Sequence, residues 1–364
     1  MTSAENRASQ SRRKVEGSGG RAPERGLQPR CRMHVFACLL LLLASCKTVQ
    51  TGPGSSGPDC RGSSEPTPGE MGIASFYWDQ GIIGCLFGCG AEEPIAAGAS
   101  GALQVEGWSA IGPFGVESET PEIATFEHEA DLSYVIVRAL APGTAILVLT
   151  DPASGDPIER VRLDVEAVTT LLPGSATWQS RILLMEGGGM TIWIHELDEA
   201  GCPLVGIGAV EYDLEGGISK EEVTLVSAFA DWIVSFLLGS IDEYVAVEAD
   251  AIGEGTLTAN AVGGASLELP FAVVDASAVA TVTLQAAEAV AVGNDVAVSA
   301  VANDANGERV HSPACDWRFE PADAPVEGIA AGRESWSFRA TEPTTITVSC
   351  TLGAATGSVE ISVL

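Results

Sequence analysis

Three histidines, His128, His195 and His311, follow the first 45 residues, and histidine is the side chain best suited to metal or acid–base work near neutral pH. Each falls in a different stretch. His128-Glu and His195-Glu both open like the zinc signature H-E-x-x-H, but Leu132 and Glu199 stand where the second histidine should be. There is no G-x-S-x-G elbow, phosphate loop or EF-hand loop. The adjacent carboxylates Glu92-Glu93 and Glu221-Glu222 would point to opposite faces of a strand, which suits them poorly to paired acid–base work. Asp198-Glu-Ala-Gly201 and Asp304-Ala-Asn-Gly307 read as turns, since Asp bonds its own backbone and Gly accepts positive φ; calcium ligation is the alternative. The expectation is a non-catalytic chain with no cofactor and no metal.

Cysteine chemistry is more informative. Beyond Cys46 the chain holds Cys60, Cys85, Cys89, Cys202, Cys315 and Cys350, an even number such as an oxidising compartment allows. Cys315 and Cys350 fall in two strand-like runs. A bond between them would stabilise by roughly 3–4 kcal/mol through the unfolded state, against the alternative of two buried thiols. Cys85-Leu-Phe-Gly-Cys89 has neither the redox spacing nor the companion ligands of a zinc site. Either these two form a local bridge, or one pairs with Cys60 and the other with Cys202.

Cys46 closes a different kind of stretch. The apolar run from Val35 to Ser45 is eleven residues long, follows Arg30 and Arg32, and contains five consecutive leucines. A membrane-spanning helix needs about 20 apolar residues; this run has the length of a signal-peptide centre. Leu43-Ala44-Ser45-Cys46 resembles the bacterial lipobox, which implies that Cys46 is acylated, becomes the new N-terminus and attaches the chain to a membrane. The resemblance also implies outer-membrane sorting, because Lys47 stands where an aspartate would favour inner-membrane retention. Residues 1–32 are polar and rich in Arg, Ser and Gly; they form a long leader or precede a true start at Met33.

Asp and Glu number 49 against 19 Lys and Arg, a formal net charge of −30. Removing the net-basic first 45 residues makes the remainder more acidic still. Such a surface repels phosphate backbones, so nucleic acid is excluded as a partner. Residues 47–69 are Gly, Ser, Pro and Thr with almost no apolar side chains, and read as a flexible tether.

The elements that must position any site are strands. Beyond Met71, short Val-, Ile- and Thr-rich runs alternate with Gly, Pro, Asp and Asn turns. One unit recurs three times. Tyr134-Val-Ile-Val-Arg-Ala139 is followed by Gly143-Thr144, Tyr244-Val-Ala-Val-Glu-Ala249 by Gly255-Thr256, and Trp336-Ser-Phe-Arg-Ala340 by Thr344-Thr345. Glycines open each unit: Gly98-Ala-Ser-Gly101, Gly187-Gly-Gly189 and Gly293-Asn-Asp. The spacing is that of one small sandwich domain per repeat. Residues 276–364, with "VAVSAVANDANGERV", "CDWRFEP" and "TTITVSCTLGAATGSVEISVL", resemble a bacterial immunoglobulin-like domain of the group-2 or invasin/intimin type, and residues 72–168 and 169–275 show looser versions.

The expected organisation is therefore all-β. A leader (1–45) and a lipidated tether (46–71) precede tandem Ig-like sandwiches at 72–168, 169–275 and 276–364. The segment from Glu221 to Leu238 departs from this pattern and reads as a helix or as two buried strands. The resemblance implies a spacer or an adhesion and interaction platform, with an unidentified protein or polysaccharide as ligand. The rivals are a carbohydrate- or calcium-binding surface module and a periplasmic scaffold for an envelope assembly.

Overall fold

The computed structural model describes residue 60 and residues 65–78, 90–107, 111–128, 133–174, 181–220 and 243–364. Cys46, Cys85, Cys89 and the segment 221–238 lie outside the described residues, so the expectations placed on them stay with the sequence.

The first sandwich holds β1 (Thr67–Pro68), β2 (Ser75–Trp78), β3 (Ile95–Ala96), β4 (Ser100–Glu106) and β5 (Gly115–Ser118). It continues with β6 (Ala124–Glu127), β7 (Tyr134–Ala139), β8 (Gly143–Thr150) and β9 (Pro157–Glu166). One sheet runs β1-β2-β4-β7-β6 and the other β3-β9-β8-β5. Strand β1 lies within the stretch expected to be tether up to residue 71. Two residues suffice because β1 pairs with β2, and Glu70 donates its N–H to the Arg160 carbonyl at 2.8 Å.

The second stretch supplies β10 (Thr170–Gly174), β11 (Ile182–Met185), β12 (Gly189–Leu197) and β13 (Val210–Gly216). It also supplies β14 (Ile218–Lys220), β15 (Glu243–Ala249), β16 (Gly253–Ala261) and β17 (Ser266–Val274). The third contains β18 (Thr281–Gln285), β19 (Ala289–Val290), β20 (Asp295–Asn303), β21 (Arg309–His311) and β22 (Asp316–Glu320). Its last strands are β23 (Val326–Ala331), β24 (Ser335–Ala340), β25 (Thr344–Leu352) and β26 (Ala355–Val363). Sheet β10-β12-β15-β14 belongs to the second sandwich and sheet β19-β26-β25-β22 to the third. Their companions are one sheet: nine strands, with β13-β16-β17-β11-β21-β20-β24-β23 in order and β18 on β20, cross from the second sandwich into the third.

The recurring motif is the arch by which the chain changes sheets. Ala139, Ala249 and Ala340 end β7, β15 and β24, and all three are buried. The next strand, β8, β16 or β25, lies in the opposite sheet. The opening glycines complete the arch. Gly98, Gly187 and Gly293 donate their N–H groups to the carbonyls of Ala139, Ala249 and Ala340 at 3.0, 2.8 and 2.9 Å. All three glycines sit at positive φ (+92°, +66° and +83°), where a Cβ would strain the backbone. The same sequence signal therefore builds the same corner three times. A parallel pair also recurs, joining an early strand of each sandwich to its last: β3 with β9, β11 with β17, and β19 with β26.

Alternation along the strands fills the interiors. Val161, Leu163 and Val165 of β9, and Val296, Val298, Ala300 and Ala302 of β20, point inward and are buried. β11 breaks the alternation, because all four of its residues are buried. Ile182 and Leu184 join the core shared by the first and second sandwiches, while Leu183 and Met185 join the core of the third. A continuous apolar run in a strand means two buried faces, and here each face has a different owner.

Candidate functional site

Among the described residues no three His, Cys, Asp or Glu side chains are grouped to hold a metal ion. His128, His195 and His311 lie on the first, second and third sandwiches and do not meet. His128 stacks on Phe114 with ring centroids 4.0 Å apart, and its Nδ1 lies 3.0 Å from the Tyr134 carbonyl oxygen. His311 is buried on β21, and burial first, then the nearby Arg309 charge, lowers its pKa to about 4. Glu92 and Glu93 sit in a turn rather than a strand. Glu92 borders an open polar depression with Thr144, Arg162 and Asp164, whose groups are engaged with one another or with Glu70.

The two Asp turns are held by their own carboxylates. Asp198 Oδ1 accepts from the Cys202 N–H at 2.8 Å, and Asp304 Oδ1 accepts from the N–H groups of Asn306 and Glu308 at 2.8 Å each. Gly201 and Gly307 close them at positive φ. Tryptophans 78, 193, 317 and 336 are buried or half-buried. Trp317, Phe319 and Trp336 pack as tilted rings against the third core, and Trp317 Nε1 donates to the Gly332 carbonyl at 3.1 Å.

What the fold does concentrate is joinery. The first joint is the strap Pro203–Gly208. Its Val205 and Ile207 exchange backbone hydrogen bonds with Pro94, Ala96 and Ser100 of the first sandwich at 2.8–3.0 Å. Gly206 (φ +111°) is required there, since a Cβ would come within 2.7 Å of the Ala99 Cβ. The second joint is the parallel pair of β11 with β21, in which Leu183 faces Val310 and Leu184 faces His311. Side chains reinforce it. Arg333 donates from Nη2 to the Glu186 carbonyl at 2.9 Å and from Nε to the Ser312 carbonyl at 3.2 Å. The Ala314 N–H points at Met185 Sδ at 3.0 Å. Arg181 lies between Glu254 and Glu308 at 3.7 and 3.5 Å.

The structure contains a disulfide between Cys315, just before β22, and Cys350, in β25. It contains a second between Cys60 and Cys202. Pairing of Cys60 with Cys85 or Cys89, one of the alternatives left open by the sequence, is therefore not the arrangement found. The Asp198–Cys202 turn holds Cys202 at the start of the strap, with its Cα 5.3 Å from that of Cys60.

Glu159 is the residue that sequence reasoning missed. It is fully buried on β9, and its carboxylate accepts from the N–H groups of Met71 (2.7 Å), Ile73 (2.7 Å) and Ala74 (3.1 Å), and of Arg160 (2.8 Å). Burial alone would raise its pKa, but these four backbone donors outweigh it and hold the carboxyl below its ordinary value. The signal was parity: Glu159 shares the inward face of Val161, Leu163 and Val165. A lone acid in that register must find donors.

No protein-family model matches the chain, and no curated protein matches it. Solved structures do. Domains 4–9 of the surface-layer protein SbsC are similar at 19% identity over 69% of this chain and 39% of that one, with a TM-score of 0.28. FdeC, an Escherichia coli adhesin, is similar at 12% identity over 82% of this chain and 99% of that one, with a TM-score of 0.20. Invasin, a bacterial integrin-binding protein, is similar at 13% identity over 80% of this chain and 59% of that one, with a TM-score of 0.22. These are bacterial surface proteins. At such TM-scores the likeness carries no argument about this chain, and the chain spans only about two fifths of the SbsC fragment. The all-β, tandem-sandwich architecture stands on its own strands.

Proposed function

We propose that this chain is an exported, non-catalytic envelope protein, anchored by a lipid on Cys46, whose sandwiches at 72–168, 169–275 and 276–364 act as a spacer that presents an interaction surface.

 The observation that supports this reading is the joinery: the strap and the β11–β21 pair are both held by backbone hydrogen bonds. A chain whose domains are held this way resists bending at its joints, which is what a spacer needs. The disulfides Cys60–Cys202 and Cys315–Cys350 suit an oxidising compartment outside the cytoplasm. Recognition of a protein or polysaccharide falls to loops at the sandwich ends or to the edge strands β13 and β23 of the nine-stranded sheet.

The test is metabolic labelling with an alkyne fatty acid, together with protease treatment of intact cells, for the wild-type chain and a Cys46→Ser variant. Label on the wild type alone supports the anchor, and cleavage on intact cells supports outward presentation. Equal labelling of both chains removes the anchor. Protection until the outer membrane is opened turns the reading into a periplasmic scaffold.

A further inference from the structure

Cys60 and Cys202 are 142 residues apart in sequence and 5.3 Å apart between Cα atoms. The loop they close contains every strand of the first sandwich, β1 to β9, together with β10, β11 and β12 of the second. Tension applied on the N-terminal side of Cys60 therefore has two routes into the body of the protein. One follows the backbone into β1. The other crosses the sulfur–sulfur bond directly to Cys202, at the start of the strap.

The two routes differ in stiffness. β1 is two residues long and lies at the edge of its sheet, paired only with β2. Behind it, the N–H groups of Met71, Ile73 and Ala74 donate to the Glu159 carboxylate. A pull on the end of an edge strand breaks such bonds one after another, so each bears the load in turn. A covalent bond does not lengthen. Load arriving at Cys202 instead meets the strap, whose backbone bonds to Pro94, Ala96 and Ser100 lie outside the path through β1.

We propose that the Cys60–Cys202 disulfide is a force shunt: it takes the first sandwich out of the load path between the N-terminal end of the chain and the second and third sandwiches, and its reduction puts that sandwich back in series. Reduction by a dithiol breaks the sulfur–sulfur bond and leaves two thiols; the two electrons and two protons come from the dithiol, which closes to its own disulfide. The inference deepens the anchoring reading, since an anchor is what would apply the tension, but its test needs no lipid.

The experiment is optical-trap extension of the full chain between a peptide tag inserted after Gln50 and a second tag after Leu364. The wild type is compared with a variant carrying both Cys60→Ser and Cys202→Ser, which leaves no lone partner thiol. The variant is expected to show an additional opening at the lowest force in the record, and a full extension longer by about 500 Å, the span of the released loop. Wild-type chain in dithiol should gain the same step. Release of the 35-residue Cys315–Cys350 loop adds only about 120 Å and is told apart by size. An unchanged step from the third sandwich, all of whose own strands β18 to β26 lie outside the Cys60–Cys202 loop, shows that the variant has folded. Equal full extensions would overturn the proposal, as would an added step that comes only after the other sandwiches have opened. Loss of lipid labelling at Cys46 would remove the anchor and leave this result standing.

Discussion

At the scale of single residues, Glu159 and His311 are buried groups whose pKa departs from its ordinary value, and each ties stability to pH. Glu159 holds the entry segment only as a carboxylate, and its folded pKa lies below the ordinary value of 4.5. Its contribution is therefore complete above that value and is lost as the pH falls through the lowered folded value. Glu159→Gln replaces an acceptor pair by one acceptor and one donor, facing N–H groups that can only donate. We expect a loss of about 2–3 kcal/mol by urea unfolding, with faster hydrogen exchange at the amides of Met71, Ile73 and Ala74. His311 works in a higher window. Its folded pKa of about 4 lies below the ordinary value of 6.5, so it folds neutral. Between those values the unfolded chain takes up a proton that the folded chain refuses, and stability falls as the pH falls, by roughly 3 kcal/mol across the window. His311→Gln should flatten the urea midpoint over that window while the Glu159-dependent loss below it remains. An unchanged slope would mean that His311 is accessible to water.

At the scale of elements, β11 is the test of the shared sheet. Leu184 and Leu183 are neighbours in sequence, both buried, and belong to different cores. Truncating either to alanine should cost about 2–5 kcal/mol, but the damage should fall on opposite sides. Hydrogen exchange should rise in β12 and β15 for Leu184→Ala, and in β20 and β24 for Leu183→Ala. The same pattern for both variants would show that β11 does not divide its faces in this way.

How much of this was legible follows from the reach of each signal. The strand ends at Ala139, Ala249 and Ala340 were, because each closes a local pattern written three times, but their hydrogen bonds to Gly98, Gly187 and Gly293, far off in sequence, and the change of sheet were not. The turns at Asp198 and Asp304 were legible, again as a local pattern. The parallel pairing of β11 with β21 was not: Leu183 and Val310 are far apart in sequence, and an apolar run says that two faces are covered without saying by what. The Cys60–Cys202 bond was hidden likewise, since an even count of cysteines fixes no connectivity. Glu159 was hidden by its surroundings in "PIERVRLDV", where charges alternate with apolar residues and one acid in the inward register passes unnoticed.

At the scale of the whole molecule, the core of the first and second sandwiches is one cluster and the second and third share a sheet. Domains joined this way should not melt as independent beads. Calorimetry of the full chain should give one dominant transition rather than three, with the calorimetric enthalpy close to the van't Hoff value. Resolved transitions for the third sandwich would show that the β11–β21 seam opens before either of its neighbours unfolds.

The seam also sets a timetable for the newborn chain. A polypeptide is made from its N-terminus, so Ile182–Met185 exists well before Phe271–Val274, and longer still before Val310 and His311. Until both arrive, Leu183 and Met185 have no interior to enter. The middle of the protein must therefore wait, with a sticky strand on display, for sequence that belongs to the next repeat. A chain cut short anywhere before His311 is left holding an unfinished edge, and should be the species that cellular quality control removes first.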